Sequence, residues 1–218
     1  MALEYYMIYK PFGVLSQFSG EGDTLGMLND FPSDVYPVGR LDKDSEGLLL
    51  LTNDKRLNHL LLDPNYSHER TYWVQVEGQI TDSALKELES GVKISVNKKI
   101  HNTLKAKAVL LEDVEKLLPE RNPPIRYRKN VPDSWIAITL KEGKNRQVRK
   151  MTAAVGFPTL RLVRWSVEKL TIDGFEAGEV RLLDGDTLYS TLGISSKAQT
   201  EQGFKTTKNQ KTKKKKRH

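Results

Sequence analysis

The sequence predicts an α+β fold built on a mostly antiparallel, mixed sheet with flanking helices. Three observations predict it. Short alternating or continuous apolar runs recur along most of the chain, only a few segments carry a helical period, and turn residues punctuate both at short intervals.

Residues 3–9 read as a strand that ends in the Lys10-Pro11-Phe12-Gly13 turn. A short helix is expected over 24–31, capped by Asp23 or Thr24, and an extended stretch over 35–41. Gly47 opens the apolar run Leu48 to Leu51, which suits a strand buried on both faces. Asn53 or Asp54 can cap a helix whose Leu57, Leu60 and Leu61 share a face. In 70–77 the alternation of Tyr72, Val74 and Val76 marks a strand. Thr81 caps a helix running to Ser90, and Gly91 stops it. Strands are expected near 92–96 and 103–111. Residues 119–133 hold four of the nine prolines and read as a loop, after which Ile136, Ile138 and Leu140 alternate as a strand. A helix starts at Asn145 and ends at Gly156, followed by strands near 160–165, 168–172 and 179–183. From about Ser195 the chain is polar and is expected to be a disordered basic tail, 195–218, behind a folded unit at 1–194.

Composition narrows the function. The absence of cysteine excludes disulfides, thiolate metal ligands and a cysteine nucleophile. No apolar run approaches the roughly 20 residues needed to span a bilayer, and MALEYYMIYK lacks the layout of a signal peptide, so a cytoplasmic protein with no membrane association is expected. The net charge of +7 is unevenly spread. Residues 197–218 hold nine Lys/Arg against Glu201, a local +8. Residues 119–165 hold eleven Lys/Arg against Glu120, Asp133 and Glu142, again +8, on an otherwise acidic body. That pattern fits a polyanion-binding face, or charges that mix on a solvated surface.

The segment Gly39-Arg40-Leu41-Asp42-Lys43-Asp44-Ser45-Glu46-Gly47 sets three carboxylates just before the buried strand. A calcium loop is rejected, because its twelfth place is Asn53 rather than a bidentate Glu. By spacing alone it is a polar turn or a carboxylate pair such as Asp42 and Glu46 in a glycoside hydrolase.

GRLDKDSEGLLLLTND resembles the signature of the RsuA/RluA group of pseudouridine synthases. KPFGVLS resembles that group's opening strand and turn, ERTYWVQVEG the strand carrying its active-site tyrosine, and EGKNRQVRKMTAAVGFPTLRLVRW its third motif. The likeness covers roughly residues 3–190 in order. RNPPIRYRKNVP followed by SWIAITL narrows it to a type acting on large-subunit ribosomal RNA that lacks an N-terminal S4 RNA-binding domain; with KPFG beginning at residue 10, no S4 domain is expected here. One departure is Arg70, where many relatives have Lys. The resemblance implies that family's catalytic fold, two subdomains around a central cleft, and isomerisation of a uridine in 23S ribosomal RNA by a monomer, on free RNA or an assembling particle.

It also implies the site. Asp42 maps onto the catalytic aspartate and Tyr72 onto the active-site tyrosine. Asp42 can attack C1′ or C6 of the uridine, or take the C2′ proton; the residues do not choose among these. The reaction gains no electrons, groups or water, so no cofactor or metal is expected, and His59, His68, His101 and His218 show no metal-ligand spacing. A base inside a helix must be flipped out to be reached. The carboxylate must stay ionised in a partly desolvated pocket, and Arg149 is the expected ion-pair partner. At ~100° per residue, Val148, Met151 and Val155 share one helix face and Arg146, Arg149 and Lys150 the other. Tyr72 can stack on the uracil and carry a proton at C5. Arg40, Arg146, Lys150, Arg161 and Arg164 are the expected RNA contacts, and the tail adds salt-sensitive attraction. The competing reading is a non-catalytic RNA-binding or ribosome-assembly protein on the same fold.

Overall fold

A computed structural model describes residues 2–125 and 131–195. The expectations for the tail beyond 195, and for 126–130 within the proline-rich loop, lie outside the described residues.

The first strand, β1 (Tyr5–Lys10), pairs antiparallel with β3 (Glu46–Thr52), whose edge β2 (Tyr36–Pro37) joins. The continuous apolar run of β3 is buried at every position, as a central strand requires. Between them, 24–31 makes only one 3-10 turn (Leu25–Met27), and Thr24 offers it no side-chain cap. Asp54 caps α1 (Lys55–Leu62) by accepting from the backbone of Arg56 and Leu57. The strand β4 (Arg70–Glu77) follows, then α2 (Asp82–Ser90), capped by Thr81 as its sequence predicts.

The strand expected at 92–96 forms, the one expected at 103–111 is shortened, and a further strand lies between them. Residues Lys93–Val96 (β5) and Lys99–Asn102 (β6) form a hairpin, and the sheet strand is β7 (Lys107–Leu111). Asn97 and Lys98 turn the hairpin with positive φ at both positions, 50° and 63°. That is a demanding turn for a lysine, and without a glycine the hairpin signal is weak. Then come β8 (Asp133–Leu140), α3 (Gln147–Ala154), β9 (Thr159–Val167), β10 (Leu170–Thr171) and β11 (Val180–Leu182). A last helix, α4 (Gly185–Thr191), is capped by Asp184 and has no counterpart among the expected elements.

The main sheet runs β11-β1-β3-β9-β4-β8-β7, and its pairings are antiparallel except β3 with β9, where Glu46 and Gly47 lie opposite Val163 and Arg164. Gly47 has φ 105°, and a side chain there would press its Cβ within 2.6 Å of the Arg164 backbone nitrogen, so only glycine lets this seam close. One face carries a single core from Tyr5 to Leu192 that includes the stacked rings of Trp73 and Trp165. The opposite face carries two cores. Ile8, Val14, Leu25, Leu41 and Leu49 form one, and Val74, Ile136, Ile138, Val148 and Met151 form the other. Tyr72 touches both, so the two halves meet at the parallel seam and leave a cleft between them. Among the described residues, no helix is long and apolar enough to cross a membrane.

Candidate active site

The cleft has a volume of about 870 Å³. The loop 38–45 forms one wall, with Arg40, Asp42 and Ser45; Tyr72, Leu140, Leu162 and Arg164 form the floor; Lys144, Arg146, Gln147 and Val148 form the far wall.

Asp42 is held from both sides in sequence. The Ser16 hydroxyl donates to the Leu41 carbonyl at 2.8 Å and accepts from the Leu41 N–H at 3.0 Å. On the other side, the Gly13 N–H donates to the Lys43 carbonyl at 2.8 Å. The turn that supplies both contacts is itself tied down by Lys10, fully buried, whose ammonium donates to the Pro11 and Val14 carbonyls at 2.8 and 2.7 Å. Burial pushes the Lys10 pKa down to about 8, against the raising effect of Glu46, Asp44 and Asp42. Lys10 and Ser16 were legible only as parts of KPFGVLS; the bonds by which Lys10 fixes the turn and Ser16 holds the acidic loop had no sequence signal.

The Ser45 N–H closes a turn on the Asp42 carbonyl at 3.0 Å, which leaves Asp42 on the cleft side and turns Asp44 toward α3. This corrects the expected pairing of Arg149 with Asp42. Arg149 instead donates to the Asp44 carbonyl, and its Nε stands 3.4 Å from the Asp44 carboxylate. Arg146 grips the same carboxylate with both guanidinium nitrogens, at 2.8 and 2.7 Å, and its hydrogen bonds hold the Asp44 pKa below the usual carboxylate range. Arg146 also stands 3.8 Å from the Asp42 carboxylate. The Asp42 side chain is 35 % exposed, so it is open to a ligand.

The expected faces of α3 are as found. Val148 and Met151 are buried in the second core with Val155 against it, and the cations lie opposite. The helix begins two residues later than expected. Arg146 takes a left-handed φ of 53° and the Gln147 side chain reaches back to the Lys144 N–H at 2.9 Å. Gln147 also donates to Glu142 at 2.7 Å, and Glu142 accepts from the Leu104 N–H and approaches His101 at 3.0 Å, which moors the β5–β6 hairpin to the cleft rim.

The other expected RNA contacts divide. Arg40 is exposed on the cleft wall. Lys150, half-buried, donates to the Asn145 carbonyl just outside the cleft. Arg161 is corrected: it lies on the opposite sheet face from Arg164's neighbours, and its fork closes on Glu46 at 2.9 and 2.7 Å, with both side chains nearly inaccessible at 7 % and 3 %. It has no surface with which to meet RNA. The same pair removes Glu46 from any carboxylate pairing with Asp42. Arg164 is also withdrawn from the surface, but into the cleft floor. Arg70 lines the cleft and donates to the Leu61 and His68 carbonyls.

Comparison with known proteins follows the same lines. A family model described as RNA pseudouridylate synthase matches residues 4–154. The ribosomal large subunit pseudouridine synthase E of Vibrio vulnificus (strain CMCP6) is 48 % identical over 172 residues, which cover 78 % of this chain and 70 % of the relative. The protein of that name from Xanthomonas campestris pv. campestris is 46 % identical over 182 residues, 82 % of this chain and 94 % of the relative. This E type is the one that the RNPPIRYRKNVP and SWIAITL stretches resemble. A crystal structure of a pseudouridylate synthase superposes with a TM-score of 0.71 at 26 % identity, covering 87 % of this chain and 74 % of the other.

Proposed function

This chain belongs to the RNA pseudouridylate synthase family, in its RsuA/RluA group, and from that premise we propose that it converts a uridine of large-subunit ribosomal RNA to pseudouridine, with Asp42 starting the reaction. The observation that carries the role of Asp42 is its placement: a reachable carboxylate, anchored through Leu41 and Lys43, on the wall of a cleft floored by Tyr72. A freely moving side chain would spend most of its time misaligned; fixing the backbone on each side reduces that loss.

The volume of the cleft accommodates a flipped nucleotide, whose ring stacks on Tyr72 while its sugar meets Asp42. Arg146 is the cation that stands beside the Asp42 carboxylate, at 3.8 Å. Arg149 acts through Asp44, holding the loop rather than touching Asp42. Arg40, Arg146 and Lys150, around the opening, meet backbone phosphates. The substrate is the RNA itself, alone or in an assembling particle, in the cytoplasm.

Forming pseudouridine replaces the hydrogen on C5, so ribosomal RNA carrying tritium at C5 of its uridines reports turnover as released label. Asp42→Asn is expected to lose activity by about 10³-fold or more while still binding the RNA and melting at the wild-type temperature. Turnover by that variant at a comparable rate contradicts the role of Asp42. If the wild-type protein binds the RNA tightly but releases no label from any precursor, the non-catalytic reading replaces this one.

A further inference from the structure

Arg164 is a buried cation for which the fold supplies no anion. Its residue is 6 % exposed, and its Nε donates to the Leu48 carbonyl at 2.6 Å. Among the described residues no carboxylate pairs with it, in contrast to Arg161 on the other face of the same strand, which has Glu46. A guanidinium withdrawn from water without a counter-charge is costly to the folded state. Burial accordingly pulls its pKa down. Such a cost is often kept where a ligand completes the site.

Register shows where the guanidinium lies. Arg164 and Tyr72 are cross-strand neighbours on β9 and β4, as are Leu162 and Val74, so their side chains share the face that floors the cleft. Another group in the cleft lacks a hydrogen-bond partner. Ser45 is 2 % exposed, lines the same cleft, and its buried hydroxyl makes no hydrogen bond. Arg164, which has the Leu48 carbonyl and the Tyr72 hydroxyl as neighbours but no anion, thus lies in a floor otherwise made of Leu140, Leu162 and Tyr72, with the unpaired Ser45 hydroxyl on the adjoining wall. In a flipped nucleotide it is the base that enters the pocket, so a strand tracking the rim would present its base, not its phosphates, to this floor.

The rest depends on the proposed reaction. If Asp42 attacks C1′, the pair of the C1′–N1 bond passes to N1, and the departing ring carries one negative charge shared by N1, O2 and O4. If Asp42 takes the C2′ proton, the C2′–H pair forms the C1′–C2′ double bond and the C1′–N1 pair again passes to N1. If Asp42 adds to C6, the C5–C6 pair moves toward C4 and the charge gathers on O4. All three routes deliver negative charge to a uracil carbonyl oxygen. We propose that Arg164 is a further catalytic residue, which holds the carbonyl oxygens of the flipped uracil and stabilises the ring anion, with the Ser45 hydroxyl donating beside it. A donor fixed in advance in a dry site needs no reorganisation as the charge develops. Arg164 itself neither gains nor loses a proton.

Arg164→Met tests this in the full-length protein, using single-turnover label release from the C5-tritiated RNA above and filter binding of that RNA. The expected result is a loss of about 10²–10³-fold in rate, with RNA affinity and its salt dependence unchanged. The discriminating measurement repeats the reaction on RNA containing 5-fluorouridine, following disappearance of that nucleotide. Fluorine withdraws electrons and stabilises the ring anion by itself, so the deficit of the variant should shrink several-fold. A purely structural role costs the same on both RNAs, and that result overturns the proposal. So does a loss below threefold, or a weakened salt dependence of binding, which assigns Arg164 to a phosphate. Should the methionine variant fail to fold, Arg164→Lys carries the same comparison. Wild-type protein that releases no label instead refutes the proposed function, so the two failures are distinguishable.

Discussion

Replacing Glu46 by Gln removes the one carboxylate that faces Arg161 while keeping the shape of the side chain. At an effective dielectric near 20, unit charges ~4 Å apart attract by about 4 kcal/mol, and removing one partner of a buried pair costs about 3–5 kcal/mol. Three features of the structure place this case at the lower end. Glutamine keeps one acceptor oxygen, the Pro119 carbonyl still accepts from Arg161 at 3.0 Å, and the Tyr9 hydroxyl lies at 3.4 Å. About 3 kcal/mol corresponds to a fall of about 6–12 °C in Tm for a domain of this size. The assay is thermal unfolding followed by circular dichroism, beside Arg161→Met and the double variant Glu46→Leu, Arg161→Met. Because most of the penalty resides in the stranded charge, the double variant should recover at least half of the loss. RNA affinity at fixed salt should be unchanged for Arg161→Met as long as the protein is folded. A melting temperature for Glu46→Gln within 2 °C of wild type, or an RNA affinity that falls with Arg161, would refute the burial argument and return Arg161 to the RNA face.

The other predictions concern the seam, the turn and the tail. Gly47→Ala must move β9 away from β3 and hold a residue at φ 105°, so it should destabilise the fold by about 2–4 kcal/mol and abolish activity in the soluble fraction; the denaturation midpoint and label release check it. Lys10 binds its proton less tightly folded, at a pKa of about 8, than unfolded, at its ordinary value near 10.5. Between those values the unfolded chain holds more protons, so this residue makes stability rise with pH across the window, by about 3 kcal/mol in all. Urea denaturation at pH 7.5 and 9.5 should show that rise in wild type relative to Lys10→Met, and parallel curves would contradict it. Deleting residues 197–218, with nine Lys/Arg against one acid, should weaken RNA binding and flatten its salt dependence without moving the modified uridine. Mapping pseudouridines with the truncated protein checks the second half.

Much of the fold was legible because its signals are local. The alternation in 70–77, the Thr81 cap and the Gly91 stop each depend on a few neighbouring residues, and each element formed where its pattern lay. Misses came where no local pattern points to the outcome. Nothing in Asn97-Lys98 announces a tight turn, because a lysine with positive φ is tolerated only once β5 and β6 pair. The 24–31 stretch, with no cap and one buried leucine, stopped at a single 3-10 turn.

The candidate site divides in the same way. Asp42 and Tyr72 were named by the resemblance of contiguous motifs to a known family, and the two-faced helix at 147–154 by its spacing. The partners of the arginines were not. By itself, the sequence determined which charged residues are present and which strands and helices carry them. The tertiary structure alone decided that Glu46 reaches across 115 residues to Arg161, that Asp44 takes Arg149, and that Arg164 is left facing the cleft. A short-range pattern sets torsion angles and faces, whereas the pairing of two charges depends on which strands lie side by side. Here that is set by one parallel seam, closed only because residue 47 has no side chain.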